Sequence, residues 1–336
     1  MRGVSFYYIL NEVLFISFVL KIENLPDFHK IEVIFLIAFL FFTIVRAYDP
    51  DILDGEKRME FTFINALVRA EHIPPPYPWY SGETLGIYYY FGHFIVAILT
   101  IISTIPSSIT YNLAVAMFFA FSILLAFSIG FNLTKKVLYG FVSAFFVVII
   151  ANIFIILQII YFLYPYFNLH IAGYEPQIFG TFLEKLTSSD IVWWSTRIIP
   201  WTVNEFPFFT FIWADLHHSL MSIPFRLMII LLVLNFFLSN ENRSNVFNNK
   251  DKILPILIIL SLSLGFLIPL STWDYPVMVF FVFLSLFIIQ FHKNKSKIKA
   301  LINIFLISIF IIILSLILFL PTIAPLLSGD RPNKLN

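Results

Sequence analysis

The sequence predicts an all-α fold: a polytopic transmembrane helix bundle of about nine to ten helices, with a long external first loop that carries an interfacial helix. Three observations predict it. Of 336 residues, 60% are hydrophobic and only 12% are charged, whereas soluble domains carry about a quarter charged residues. A chain this poor in charge cannot cover a water-facing surface. Its apolar residues come in blocks near the roughly 17–25 that a bilayer-spanning helix needs. Its basic residues gather in short connections between blocks, where they orient helices.

Composition also excludes several classes of function. A net charge of +1 implies no polyanionic partner, so no nucleic acid is expected. The chain has no cysteine, which rules out disulfides, thiolate catalysis, zinc–thiolate sites and iron–sulfur clusters. The segment Val4–Leu20 holds Asn11 and Glu12 with no small-residue cleavage site after it, so it does not read as a signal peptide.

Nine blocks qualify or nearly qualify as spans: 4–20, 31–46, 88–105, 110–131, 137–164, 216–238, 253–270, 274–291 and 299–320. They are expected to form a single transmembrane domain over 1–336, with external loops at about 46–87 and 165–215. Asn240–Lys252 and His292–Lys299 carry the clustered lysines and are placed inside. Counting back from them puts 165–215 and the Trp273–Asp274 turn outside. Counting forward gives a conflict, because three simple crossings separate 46–87 from 165–215. The block 137–164 resolves it. As one helix, its 28 residues would run about 42 Å at 1.5 Å per residue, against a bilayer core of about 30 Å. It also carries Asn152 near its middle, so it is expected to break into two short helices or a re-entrant pair. Single cysteines introduced at Asp54 and Thr187 are then expected to label from the same side and one at Lys295 from the other. Labelling of Asp54 and Thr187 from opposite sides would refute this topology.

In the first loop, Asp49 before Pro50 is expected to cap a helical turn, which Gly55 then ends. A helix should follow from Glu56 to Arg69, with Met59, Phe63, Ile64 and Leu67 as its apolar stripe and Glu56 and Glu60 sharing a face. Such a helix lies naturally on a membrane surface. Asp49 and Asp51 read either as capping and turn residues or as a carboxylate cluster that acts as a base or holds a divalent cation, Mg or Mn. Asp54, before a glycine, reads as a turn residue. Pro74 to Pro78 forces an extended segment. Tyr88, Tyr89 and Tyr90 then open a membrane helix, either as part of an aromatic belt or lining a polar cavity. His93, one turn further in, is expected to be packed or hydrogen-bonded rather than a ligand.

The stretch from Trp193 to Arg226 is the most informative. Asp215 stands in an apolar run where a membrane helix should begin, and ionisable residues at such depth usually mark function. Asp215 and His218 are three apart and are expected on one helix face, with His217 pointing elsewhere and Pro224 kinking the helix. An Asp-x-His-His run alone falls short of the three or four ligands zinc wants, and by itself reads as a pair closing a helix end. With Glu205, Arg197 and the acidic first loop it points to a site, with His217 and His218 as candidate metal ligands. The turn Thr272–Pro276 adds Trp273 and Asp274 on the same side.

These blocks together resemble the archaeal and Chloroflexi "YYY" membrane-protein family, named for its tyrosine triplet. The matching residues are Pro50 and Asp51, Glu56 and Lys57, Met59 to Phe61, Asn65, Tyr88 to Gly92, Glu205 to Phe209, Asp215 to His217, and Thr272 to Asp274. The chain departs from the family where members read Asp-Leu-His-Pro-His, because His217 and His218 are adjacent here. Members are also usually longer, which makes this chain a short, split or truncated one.

The family in turn looks like the GT-C superfamily of membrane glycosyltransferases, a likeness at fold level. That likeness implies transfer of a sugar from a polyprenyl-phosphate donor at the outer face of the cell membrane, with membrane lipid as surroundings. It implies Asp49 or Asp51 as the base that activates the acceptor, with Asp215 beside it. Glu56, Lys57, Glu60, Tyr88, Tyr89, Tyr90, Arg197, Glu205, Trp273 and Asp274 would contact substrate, with Arg197 or Lys57 on the donor phosphate. Two rivals stand beside this reading. One is a transporter or lipid flippase with Asp215 and His218 as an ion relay; the other is a non-catalytic subunit of a membrane complex. Acids confined to one external face favour the enzyme.

Overall fold

Helices dominate the computed structural model, which describes residues 28–85, 89–150, 196, 202–239, 250–293 and 296–323. The block 4–20, Tyr88, Arg197 and most of the loop 165–215 lie outside the described residues. Helix α1 covers Phe28–Tyr48, and the loop helix α2 covers Lys57–Val68. Then come α3 (Phe91–Ser103), α4 (Ser107–Thr134) and α5 (Val137–Ala144), the last continued by a π turn at Phe145–Ile149. After the loop come α6 (Pro207–Trp213), α7 (His218–Ser239), α8 (Lys250–Leu270), α9 (Asp274–Lys293) and α10 (Lys297–Leu318). Among the described residues the nearest thing to a sheet is one isolated antiparallel bridge between Pro76 and Thr84.

Among the described residues, four helices are long and apolar enough to cross a membrane, within α1, α4, α7 and α10; Phe91–Ser103, Val137–Ile149, Leu254–Leu270 and Asp274–Ile289 are shorter apolar runs. Large apolar side chains such as Ile37, Phe41, Phe305 and Leu306 stand exposed on α1 and α10. In water that surface would cost free energy in proportion to its area, whereas hydrocarbon tails solvate it. In the block too long for one crossing, the regular helix ends at Ala144 and a π turn at Ile149; its expected second part, in 151–164, lies outside the described residues.

The described chain forms two compact units, residues 1–121 with 216–336, and residues 122–215. In the larger unit, α1 stacks Phe42 on Phe119 of α4 with ring centres 4.3 Å apart. Helix α2 packs against α3, and α8 packs against α7, α9 and α10. Phe91 at the start of α3 meets Phe266 of α8 edge-on at 5.0 Å. Two glycines permit close approach. A Cβ on Gly92 would meet the flexible end of Met221. One on Gly265 would fall 2.5 Å from the Phe319 ring and 2.7 Å from the Ser315 carbonyl, where the backbone cannot yield. Gly265→Leu is therefore expected to destabilise by about 1–3 kcal/mol or more, read as a lower melting temperature in detergent, while Gly92→Ala changes it less. In the smaller unit, Phe127 of α4 meets Phe141 of α5 at 5.0 Å, and Gly140 lies against the Phe127 ring.

The first loop corrects two expectations. Asp49 and Pro50 do not start a helix: α1 runs on to Tyr48 and the chain is then irregular as far as Leu53. The Pro50 carbonyl accepts instead from Asn112 Nδ2 at 3.0 Å, and Asn112 Oδ1 accepts from Nε of the buried Arg46 at 2.9 Å. That chain of bonds ties the acidic turn to α4. Helix α2 forms nearly where its periodicity places it, but its buried face is not purely apolar. Lys57 and Glu60 are buried with Phe63, Ile64 and Leu67, while Met59 is only half-buried. The helix is fastened by Asn65, whose Oδ1 accepts from Ser107 Oγ at 2.8 Å. The proline-rich segment then runs extended, with the Leu85 amide donating to the Pro75 carbonyl and the Tyr77 amide to the Glu83 carbonyl, each at 2.8 Å.

Candidate functional site

The second informative stretch corrects the placing of Asp215. It was expected on one helix with His218, but α6 ends at Trp213, Ala214 takes a left-handed conformation with φ of 62°, and α7 begins only at His218. Asp215, Leu216 and His217 form the break, so Asp215 and His218 do not share a helix face. Breaks expose backbone groups that must be satisfied elsewhere. The Leu216 amide donates to the hydroxyl of the fully buried Tyr111 at 3.2 Å. The His217 carbonyl accepts from the amides of Leu220 and Met221, each at 3.1 Å, and so opens α7.

The break aims His217 at the acids of the first loop. Its Nε2 lies 3.4 Å from Glu56 Oε2. Glu56, Glu60 and His217 each offer one ligand atom, and those atoms all lie within 4.8 Å of one another. Glu56 stands at the mouth of α2 with 56% of its side chain exposed, whereas Glu60, one turn on, is wholly buried. For Glu60 the partner is His93 of α3, whose Nε2 contacts Glu60 Oε2 with both side chains fully buried. His93, which the sequence pointed to as packed or hydrogen-bonded, is thus a support of the site rather than a bystander. The Phe63 ring meets the His93 ring edge-on at 5.7 Å and walls this pair.

His218 has a different position. Its Nδ1 lies 3.1 Å from His217 Nε2, and its ring packs on Tyr89 with centres 4.8 Å apart. Tyr90 is buried at the cap of α3. Asp274, at the start of α9, meets Arg226 of α7 at 3.5 Å, and Arg226 also donates to the Ser219 carbonyl at 3.3 Å. Arg226 was quoted in the sequence without a role. A cation two turns below a His-His pair, on a helix otherwise apolar, was the signal that could have found it. Trp273 beside it is 77% exposed.

Asp49 and Asp51 are exposed on the irregular turn and lie outside the cluster of Glu56, Glu60 and His217. Glu205 is exposed and Asp215 half-buried; both belong to the smaller unit.

Long apolar helices with a buried acid–imidazole cluster where a short loop helix meets a broken helix define a helical membrane protein. The chain belongs to the family described as uncharacterized membrane protein (DUF2298), whose model matches residues 4–328. No curated protein and no solved structure matches it.

Proposed function

We propose that the protein is a membrane glycosyltransferase of GT-C type, transferring a sugar from a polyprenyl-phosphate donor at the outer face of the cell membrane as a multi-pass protein. The observation that carries this reading is the convergence of Glu56 and Glu60 from the first loop on His217 from the second. Transfer at an anomeric carbon needs a carboxylate on the attacking side and neutralisation of charge on the leaving phosphate. Asp49 or Asp51, both exposed, is the base in this scheme, with the Glu56–His217 pair orienting the acceptor. Lys57, buried at the start of α2, is poorly placed to grip a phosphate. Arg226, 36% exposed beside Asp274, is better placed for that role. Tyr89 and Trp273 supply the flat apolar surfaces that sugars and isoprenoid chains pack against.

The experiment is an assay of the purified protein with radiolabelled polyprenyl-phosphate sugars and a membrane lipid extract. Label moving to a lipid or glycan acceptor supports the reading. The buried Glu60–His93 pair favours one rival, an ion-coupled transporter or flippase, since ionisable pairs in apolar surroundings also serve as proton relays. Proton-dependent uptake by proteoliposomes without sugar transfer would establish that rival instead. Neither activity would leave the non-catalytic subunit.

A further inference from the structure

We propose that Glu56, Glu60 and His217 form a binding site for one divalent transition-metal ion, with manganese or zinc rather than magnesium or calcium as its occupant. The donor set is two carboxylate oxygens and one imidazole nitrogen, all within 4.8 Å of one another. Two ligands bound at about 2.1 Å to one ion are about 3.0 Å apart at an octahedral edge and about 3.4 Å at a tetrahedral edge. The Glu56 Oε2 to His217 Nε2 distance of 3.4 Å is already of that size. The separation from Glu60 to Glu56 closes by side-chain rotation of Glu56, which stands 56% exposed, and that from Glu60 to His217 by rotation of the 28% exposed His217 ring.

The chemistry of the third ligand selects the ion. Carboxylates alone suit magnesium, calcium or manganese, and an acid cluster on Asp49 and Asp51 would have been of that kind. Imidazole nitrogen is a softer donor that suits zinc and iron, the two carboxylates keep the set open to manganese, and the mixed set disfavours the hard alkaline-earth ions. The surroundings resemble a supporting shell, which fixes ligand orientation in metal sites. His93 holds Glu60 from the buried side. Ser219 Oγ lies 3.4 Å from His217 Nδ1, the ring nitrogen that faces away from Glu56. His218 Nδ1 lies within hydrogen-bond reach of His217 Nε2, at 3.1 Å. A metal taking the His217 lone pair replaces that bond, and His218, outside the three-atom group, stays against Tyr89. Three protein ligands leave positions open for water or for the oxygens of a phosphate. That last role rests on the transferase reading; the site itself does not.

The test uses tag-free full-length protein, stripped with chelator and dialysed against Mn2+ in the presence of excess Mg2+. Metal content by mass spectrometry is expected at one manganese per chain, and pulsed EPR is expected to show nitrogen coupling from one imidazole. Glu56→Gln and Glu60→Gln should each weaken binding about tenfold or more. His217→Gln should abolish the nitrogen coupling, and His218→Gln should keep it. Substoichiometric manganese, displacement by magnesium, or nitrogen coupling that survives in His217→Gln overturns the proposal. If His217→Gln or Glu60→Gln fails to fold by detergent melting, the exposed Glu56→Gln carries the test. Manganese bound as described with no sugar transfer overturns the transferase reading and leaves the site standing.

Discussion

Glu60→Ala is expected to cost the detergent-solubilised protein about 3–5 kcal/mol of unfolding free energy, among the largest single losses available outside the apolar core. Glu60 and His93 are both wholly inaccessible and face each other across the α2–α3 contact. Removing the carboxylate leaves an imidazole buried without its acid, and the desolvation cost of a polar group is then uncompensated. His93→Leu should cost a similar amount for the mirror-image reason. The double variant Glu60→Leu with His93→Leu is expected to recover most of the loss, because paired apolar side chains of similar volume replace a buried ion pair at little cost. Urea or SDS titration of the four proteins gives the coupling directly. Single losses below about 1 kcal/mol would mean that water reaches the pair and screens it as at an exposed site.

Glu56→Gln should behave oppositely. Its side chain is 56% exposed, and an exposed ion pair contributes at most about 1 kcal/mol, so melting should hardly move. Transfer from the polyprenyl-phosphate donor is nevertheless expected to fall about 10²-fold, the usual cost of a misplaced substrate. The two glutamates, one turn apart on α2, thus separate structure from chemistry. A Glu56→Gln protein that transfers sugar at nearly the native rate would remove the pair with His217 from the mechanism.

What could be read from the sequence follows from how local each signal is. Hydrophobic blocks report a helix residue by residue, so seven of the nine expected blocks coincide with described helices, and α2 was visible in the spacing of Phe63, Ile64 and Leu67. The block 137–164 is described as helix only as far as Ile149; the rest of it and the block 4–20 lie outside the described residues. The site was legible only in its residue types. Glu56, Glu60 and His217 stood among the expected residues, but Asp215 was paired with His218 on an assumed continuous helix. That assumption failed because nothing in Trp213-Ala-Asp-Leu announces a left-handed residue; alanine seldom adopts that conformation. The depth of Glu60 was hidden for a related reason. Periodicity marks which face a residue occupies, whereas burial of that face depends on α3, whose His93 comes some thirty residues later. Asn112 holding Pro50 is a contact of the same long-range kind.

The turn at Ala214 carries a consequence for how this chain can change over evolutionary time. Its backbone sits at φ of 62° and its side chain is completely enclosed. The first condition penalises every residue with a Cβ, and branched ones most; the second excludes anything bulkier than a methyl group. Glycine and alanine alone satisfy both. An apparently ordinary small residue, bearing no charge and offering no group for chemistry, is thereby frozen. Among relatives the position should drift only between those two letters, while the apolar residues on either side interchange freely. The least conspicuous letter in Trp213-Ala-Asp-Leu is then the one that ends α6.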